Sequence, residues 1–351
     1  MIVLQASWKK YLLHFKFAAK TSRNTLHQRP VWFLIVKSND KIRAIGECAY
    51  LSGLSPESEN EIEKGLTEIC KNLQSFLDFP DQLNNLPSLK MAMEMVITSL
   101  KSGALLQPFP GDFADSKKCI PINGLVWMGD VSQMRIRIQN KIEEGYKCIK
   151  LKIGGINFDE EWQLLHTLRE RFTPDELELR LDANGAFSAD DVDDKLHKLA
   201  PLGIHSIEQP IKAKLWQKMA ELCKNSVIPI ALDEELIGVN TRYEKVQLLD
   251  TLKPAYIILK PSLLGGFSSC DEWIDLASER NIGFWATSAL ESNIGLNAIS
   301  QWVSHKDTAG MPQGLGTGQL YTNNIASALH IKNGKICFEK NAVWDLSLFE
   351  N

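Results

Sequence analysis

Five short apolar segments, each ending in a charged residue at nearly even spacing, constrain this chain more than any other feature. They read IKLKIGG, LRLDANG, SIEQP, IALDEE and IILKPS, and the charges are Lys152, Asp182, Glu208, Asp233 and Lys260. The gaps between successive charges are 30, 26, 25 and 27 residues. Each gap accommodates one strand, one helix and two loops, the size of a βα unit. A series of such units closes into a barrel of parallel strands, with the reactive groups at the C-terminal strand ends. All five charges stand at that end of their segments.

Three carboxylates aimed at one mouth repel each other unless a cation sits among them. Oxygen-only ligands favour a hard divalent ion, so Asp182, Glu208 and Asp233 are expected to hold Mg²⁺, with Mn²⁺ a possible substitute. A substrate carboxylate on that metal would have its α-proton acidified, and the metal would stabilise the enediolate left behind. A lysine takes such a proton only as the neutral amine. Lys150 and Lys152 lie two apart on one strand and share a face, so each ammonium disfavours the other and one becomes a base near neutral pH. Arg180 shares the face of Asp182; a substrate-carboxylate contact and an ion pair inside the barrel are equally compatible with its position. Glu234 faces away from Asp233 and reads as a supporting or structural group, as does His205.

The ordered set KxK, DAN, EQP, DE and KPS resembles the enolase superfamily, and within it the muconate-lactonizing subgroup, whose members carry a lysine on each side of the metal. The resemblance extends to GECAYLSGLS near the N-terminus and to TSALESNIGL and GLGTG near the end. It implies a (β/α)7β barrel with an N-terminal α+β capping domain. It also implies a metal-dependent carbon–oxygen lyase: a dehydratase of menaquinone synthesis acting on a succinylated hydroxycyclohexadiene carboxylate. Lys152 and Lys260 are then the catalytic pair. Lys150, Arg180, Asn184, Ser262, Ser288 and Gly316 are substrate-binding or supporting residues. N-succinylamino acid racemisation and dipeptide epimerisation are the alternatives within the superfamily; the acidic DxD motif of the epimerases is missing from TSALESNIGL. A Schiff-base aldolase would leave the three carboxylates unexplained. A non-catalytic carboxylate-binding barrel would not need every reactive position filled. Where relatives read GECAPLPGLS, this chain has Tyr50 and Ser52 in place of the two prolines, so the loop over the mouth has its own shape.

The 351 residues suit a barrel plus a smaller domain, expected over 117–322 and 1–105, with 323–351 returning to pack on the cap. With 39 basic and 43 acidic residues there is no footprint for nucleic acid or an anionic membrane, and the expected partner is a small carboxylate. The oligomeric state is left open. Seven dispersed cysteines without a CxxC pair suggest reduced thiols and a cytoplasmic location, and MIVLQASWKK lacks the marks of a signal peptide. VWFLIV at 31–36 is too short to span a bilayer. YLLHFKF and VWFLIVKS read as strands, and KSNDKIRAIGE as a hairpin through Asn39 and Asp40. The first helix is expected from a Ser55 cap with Pro56 at its first position, running through QSFL. LPSLKMAMEMVITSLKSG is a second helix, with Met91, Met93 and Met95 as core. Loops near 20–29 and 49–56 are expected to close over the barrel mouth.

Overall fold

In the computed structural model of the protein, which describes residues 4–20 and 25–350, VWFLIV lies in the middle strand of an antiparallel sheet. The order is β1 (Gln5–Lys20), β2 (Thr25–Ser38), β3 (Lys41–Cys48). The run shows no polar alternation because both of its faces are covered. Trp32, Leu34 and Val36 pack with Ile62, Leu66 and Ile69 of α1 (Glu59–Lys71) and with Ala92, Met93 and Val96 of α2 (Pro87–Ser102). Val31, Phe33 and Ile35 belong to the large core shared with the barrel, together with Met91 and Met95 on the other side of α2. The alternate methionines of that helix therefore serve two cores. A side chain at Gly46 would overlap the Ala92 carbonyl, so glycine lets β3 lie directly on α2. The β2–β3 turn has positive φ at Asn39 and Asp40 (50° and 58°), the backbone of a tight hairpin. Residues 21–24, the tip of the predicted loop after β1, lie outside the described residues.

Helix α1 begins later than expected. Ser58, not Ser55, is the cap: its hydroxyl accepts from Glu61 N while the Glu61 carboxylate accepts from Ser58 N, a complete capping box. Ser55 instead folds the preceding loop, its hydroxyl accepting from Leu51 N at 2.9 Å. The helix stops at Lys71, and a separate short helix takes up Leu73–Asp78.

The barrel strands are β4 (Gly124–Val126), β5 (Cys148–Lys152), β6 (Glu178–Asp182), β7 (Ser206–Glu208), β8 (Ile230–Leu232), β9 (Tyr256–Leu259) and β10 (Gly283–Ala286), all parallel and neighbouring in chain order. Gln313 and Gly314 close the ring, bridging in parallel to Ile122 on one side and Thr287 on the other. Gly314 is required there, because a side chain would run into Thr287. Between strands lie α3 (Val131–Glu143), α4 (Phe158–Arg171), α5 (Val192–Leu199), α6 (Trp216–Asn225), α7 (Arg242–Leu252), α8 (Gly266–Ser278) and α9 (Asn293–Ser304). Seven strand–helix units and a closing strand make the (β/α)7β architecture.

Two cap carboxylates plug into barrel helix N-termini, where unpaired N–H groups and the helix dipole favour an acceptor. Glu47 accepts from Ser292 N, Ser292 Oγ and Gly295 N at 2.7, 2.5 and 2.7 Å, at the start of α9. Glu94 accepts from Phe267 N at 2.5 Å and from Ser268 Oγ, at the start of α8.

Past the barrel, the hairpin Leu329–Lys332/Lys335–Phe338 pairs with Ile120–Pro121. That register sets Cys337 opposite Cys119, and the two form a disulfide with Cα atoms 4.5 Å apart. The expectation of uniformly reduced thiols is corrected here: dispersed positions 218 residues apart in sequence are cross-strand neighbours in space. The chain then reaches the cap, where Phe349 packs edge-on against Phe33 and Lys9 Nζ donates to the Leu348 carbonyl at 2.9 Å.

Candidate active site

Parallel pairing sets the strand-end charges in a row. Lys152 is in register with Asp182, and Asp182 with Glu208. Asp233 and Lys260 each follow directly on their strands, β8 and β9. Lys260 thus stands four strands round the ring from Lys152. Asp182, Glu208 and Asp233 are all buried, with 1–2% of their surfaces exposed.

The three carboxylates are interleaved with ammonium groups. Lys150 bonds Glu208 and lies 2.9 Å from Asp182 Oδ2. Lys152 donates to Asp182 Oδ2 at 2.9 Å and to Asn184 Oδ1 at 2.6 Å. Lys260 bonds Asp233 and lies 3.9 Å from Glu208 Oε1. Asn184 adopts φ 45°, a left-handed conformation that asparagine tolerates, and its amide donates to Glu234 Oε1 at 3.1 Å. Glu234 thereby supports the site through Asn184.

Charge balance decides the protonation directions. Burial opposes charge on Lys150, but Asp182 and Glu208 outweigh it and its pKa is raised. Lys260 is raised likewise, burial being outweighed by Asp233. Of the two lysines sharing this strand face, Lys150 is the one that the carboxylates hold charged. Burial also opposes charge on Asp182, yet Lys150, Lys152 and Lys260 hold it well below the usual carboxylate range. Burial, and then the charge of Asp182, push Glu208 up to about 7. Burial raises Asp233 as well.

Among the described residues no three acidic, histidine or cysteine groups are spaced as a closed metal cage. The donor set nevertheless fits a hard divalent cation. It is all carboxylate and buried, and Glu208 Oε1 has no hydrogen-bond partner.

Lys150, Lys152, Asp182 and Lys260 line a cavity of about 120 Å³, with Glu208 and Asp233 buried beside them. Asn184, Ser288 and Gly316 line it too. Of the expected supporting residues, Arg180 and Ser262 do not. Arg180 is one strand layer below Asp182, where it donates to Glu178 Oε1 at 2.6 Å and to the Pro312 carbonyl at 2.8 Å, and stacks on Trp285. Sharing a face did not bring it to the mouth. Ser262 is buried beneath the site, donating to Glu291 Oε1 at 2.5 Å. Glu291 also accepts from Ser288 Oγ at 2.5 Å, and Ser288 accepts from Thr317 Oγ1 at 2.7 Å.

The roof comes from the cap: Leu26, which lies at the start of β2 rather than in the expected loop, and the run Leu51–Leu54 of the second loop reach the cavity. Arg29, which sequence reasoning missed, ties them down. It is 2% exposed and donates to the Ala289, Leu290 and Tyr50 carbonyls, the last two at 2.6 Å. Leu290 has φ 67°, and Tyr321 Oη also donates to its carbonyl at 2.6 Å, so a strained cavity residue is held from two sides. Trp127, at the end of β4, forms another wall; its aromatic character in GLVW was the available signal.

Known proteins bear on this geometry. A family model described as enolase C-terminal domain-like matches residues 133–340. The chain is 43% identical to an o-succinylbenzoate synthase of Desulfotalea psychrophila, over 94% of this chain and 98% of that one. A crystal structure of MenC from Desulfotalea psychrophila superposes with a TM-score of 0.83 at 42% identity, covering 95% of this chain and 99% of that one. An N-succinylamino acid racemase of an Amycolatopsis species is 27% identical over 59% of this chain and 54% of its own length.

Proposed function

The chain belongs to the enolase C-terminal domain-like family, and on that premise we propose that it performs the o-succinylbenzoate synthase reaction of menaquinone synthesis. The reaction dehydrates 2-succinyl-6-hydroxy-2,4-cyclohexadiene-1-carboxylate to o-succinylbenzoate. The observation that carries the reading within the site is the row Lys152–Asp182–Glu208, continued by Asp233 and Lys260, at one barrel mouth.

Asp182, Glu208 and Asp233 would hold the divalent cation, Mg²⁺ in our reading. When bound, it supplies positive charge against the substrate carboxylate and acidifies the neighbouring carbon. Lys152, as the neutral amine, takes the ring proton α to that carboxylate. The C–O bond at the adjacent carbon breaks, Lys152 returns its proton to the departing oxygen, and water and the aromatic ring result. Asn184 orients the Lys152 amine. Lys260 stays charged on the opposite side and steadies the negative charge that develops. The Arg29-held roof excludes water from these transfers. We infer a cytoplasmic location from the class of metabolic relatives; the Cys119–Cys337 bond runs against the usual thiol state there. Among the described residues no helix is long and apolar enough to cross a membrane.

The same opposed lysines suit racemisation of N-succinylamino acids, which the Amycolatopsis relative favours as the second reading. The test is turnover of the cyclohexadiene followed by ultraviolet absorbance. Activity should vanish with EDTA and return with Mg²⁺ or Mn²⁺. Full activity in a rigorously metal-free preparation would refute the metal role, and efficient racemisation without aromatisation would replace the dehydratase by the racemase.

A further inference from the structure

The main cavity leaves one end of the proposed substrate without a counter-charge. On the reading above, that substrate carries two carboxylates, one on the ring and one ending the succinyl chain. The basic side chains lining the cavity are Lys150, Lys152 and Lys260, and each is already engaged by Asp182, Glu208 or Asp233.

A second cavity, of about 190 Å³, adjoins the first. Asn123, Leu125, Trp127, Gly316 and Thr317 line both. Two cations of α3 line the new one, Arg137 and Lys141. Lys141 is paired with Glu144 at 2.6 Å. Arg137 lies within ion-pair distance of no carboxylate among the described residues. Its Nη1 donates to the Trp127 and Met128 carbonyls at 2.8 and 3.0 Å, and the guanidinium stands 5.7 Å from the centre of the Phe17 ring. Asp130, whose charge acts on it, is occupied in capping α3 through Gln133 N. A guanidinium has five N–H donors in a planar fork, so the engagement of Nη1 leaves the others for an anion.

The wall between the cavities carries a second sign of a ligand. Trp127 and Asn123 are each 4% exposed, and Trp127 Nε1 and Asn123 Oδ1 have no hydrogen-bond partner. Buried polar atoms left unpaired are disfavoured unless something meets them in use. Trp127 also spans the distance between the two charge centres: Lys152 Nζ is 5.8 Å from its ring, and Arg137 is bonded to its carbonyl.

We propose that the second cavity is the subsite for the ω-carboxylate of a succinyl chain, with Arg137 as its counter-ion and Trp127 as the wall the chain crosses. This deepens the dehydratase reading and rests on it for the identity of the tail, though a succinylamino acid would present the same group. Arg137 is then a specificity residue, distant from the proton-transfer chemistry.

The test pairs ligands with variants, using the Mg²⁺-loaded enzyme and calorimetric binding. The ligands are 2-succinylbenzoate and benzoate, which differ by the tail alone. Wild-type enzyme should bind the succinyl compound more tightly, and Arg137→Gln should reduce that preference about tenfold to a hundredfold while leaving benzoate binding unchanged. Arg137→Lys, which keeps the charge and tolerates the site better, should give an intermediate loss. An unchanged preference in Arg137→Gln would overturn the proposal. So would a parallel loss of benzoate binding, the mark of a merely structural role. Failure of the wild type to dehydrate the cyclohexadiene, with the Arg137-dependent preference intact, would remove the dehydratase and leave the subsite standing.

Discussion

The Glu47 carboxylate offers a quantitative test of how the cap is docked. Three donors at the start of α9 favour its charged form, but it is completely buried and Glu291 lies nearby. Burial wins and pushes Glu47 from its ordinary 4.5 up to about 7. The folded protein therefore holds this proton more tightly than the unfolded chain does. The resulting stability is fully present below 4.5 and is lost as pH rises through about 7. The separation of the two values corresponds to about 3 kcal/mol. Glu47→Gln keeps the shape and removes the titration. Urea unfolding of both proteins at about pH 5 and about pH 8 should show the wild type losing about 2.5 kcal/mol more than the variant between those conditions. Contributions from other carboxylates cancel in the difference. Equal pH dependence in the two proteins would refute the claim that burial outweighs the helix end.

Lys152→Ala should abolish dehydration, and Lys260→Arg should reduce it severely because the longer, planar group cannot replace the ammonium against Asp233; both are read from initial rates. In D₂O, exchange into a succinylamino acid through Lys152 alone marks the one-base dehydratase, whereas exchange through both lysines marks the racemase. Arg29→Met should raise KM about tenfold with a smaller change in kcat, since it releases the roof and touches no reacting group; an unchanged KM would reduce Arg29 to a structural part. Cys337→Ser should lower stability by about 2–4 kcal/mol in denaturant unfolding, as expected for a crosslink closing a long loop, with kcat/KM unchanged.

The reactive row was legible because it rides on a repeated local unit. A strand end, a charge and a βα spacing are visible within about thirty residues each. One layer down, the same logic left two options open. Arg180 shares the face of Asp182, but two residues along a strand are about 6–7 Å of depth, enough to move a side chain from the mouth to an ion pair with Glu178. Ser262, set by the turn after Lys260, reaches the cavity only through Glu291, which it bonds and which in turn accepts from Ser288. The start of α1 was available in Ser58-x-x-Glu61, and the competing sign of Pro56 at a first helical position obscured it.

What could not be read is long-range pairing without a motif. Glu47 meets Ser292 across 245 residues, and Cys119 meets Cys337 across 218. Arg29 contacts Ala289 and Leu290 from the far end of the chain. These contacts join the cap to the barrel, and the cap supplies the roof of the cavity. The consequence is a division of information along the chain. Groups that move protons stand on the repeating barrel and announce themselves by spacing. On the reading proposed above, the groups that choose the substrate lie at the end of β4, on α3 and on the cap loops, where Trp127, Arg137 and Tyr50 obey no period. A change such as Tyr50 for proline in the loop over the mouth can therefore alter which carboxylate enters without disturbing the row that reacts with it.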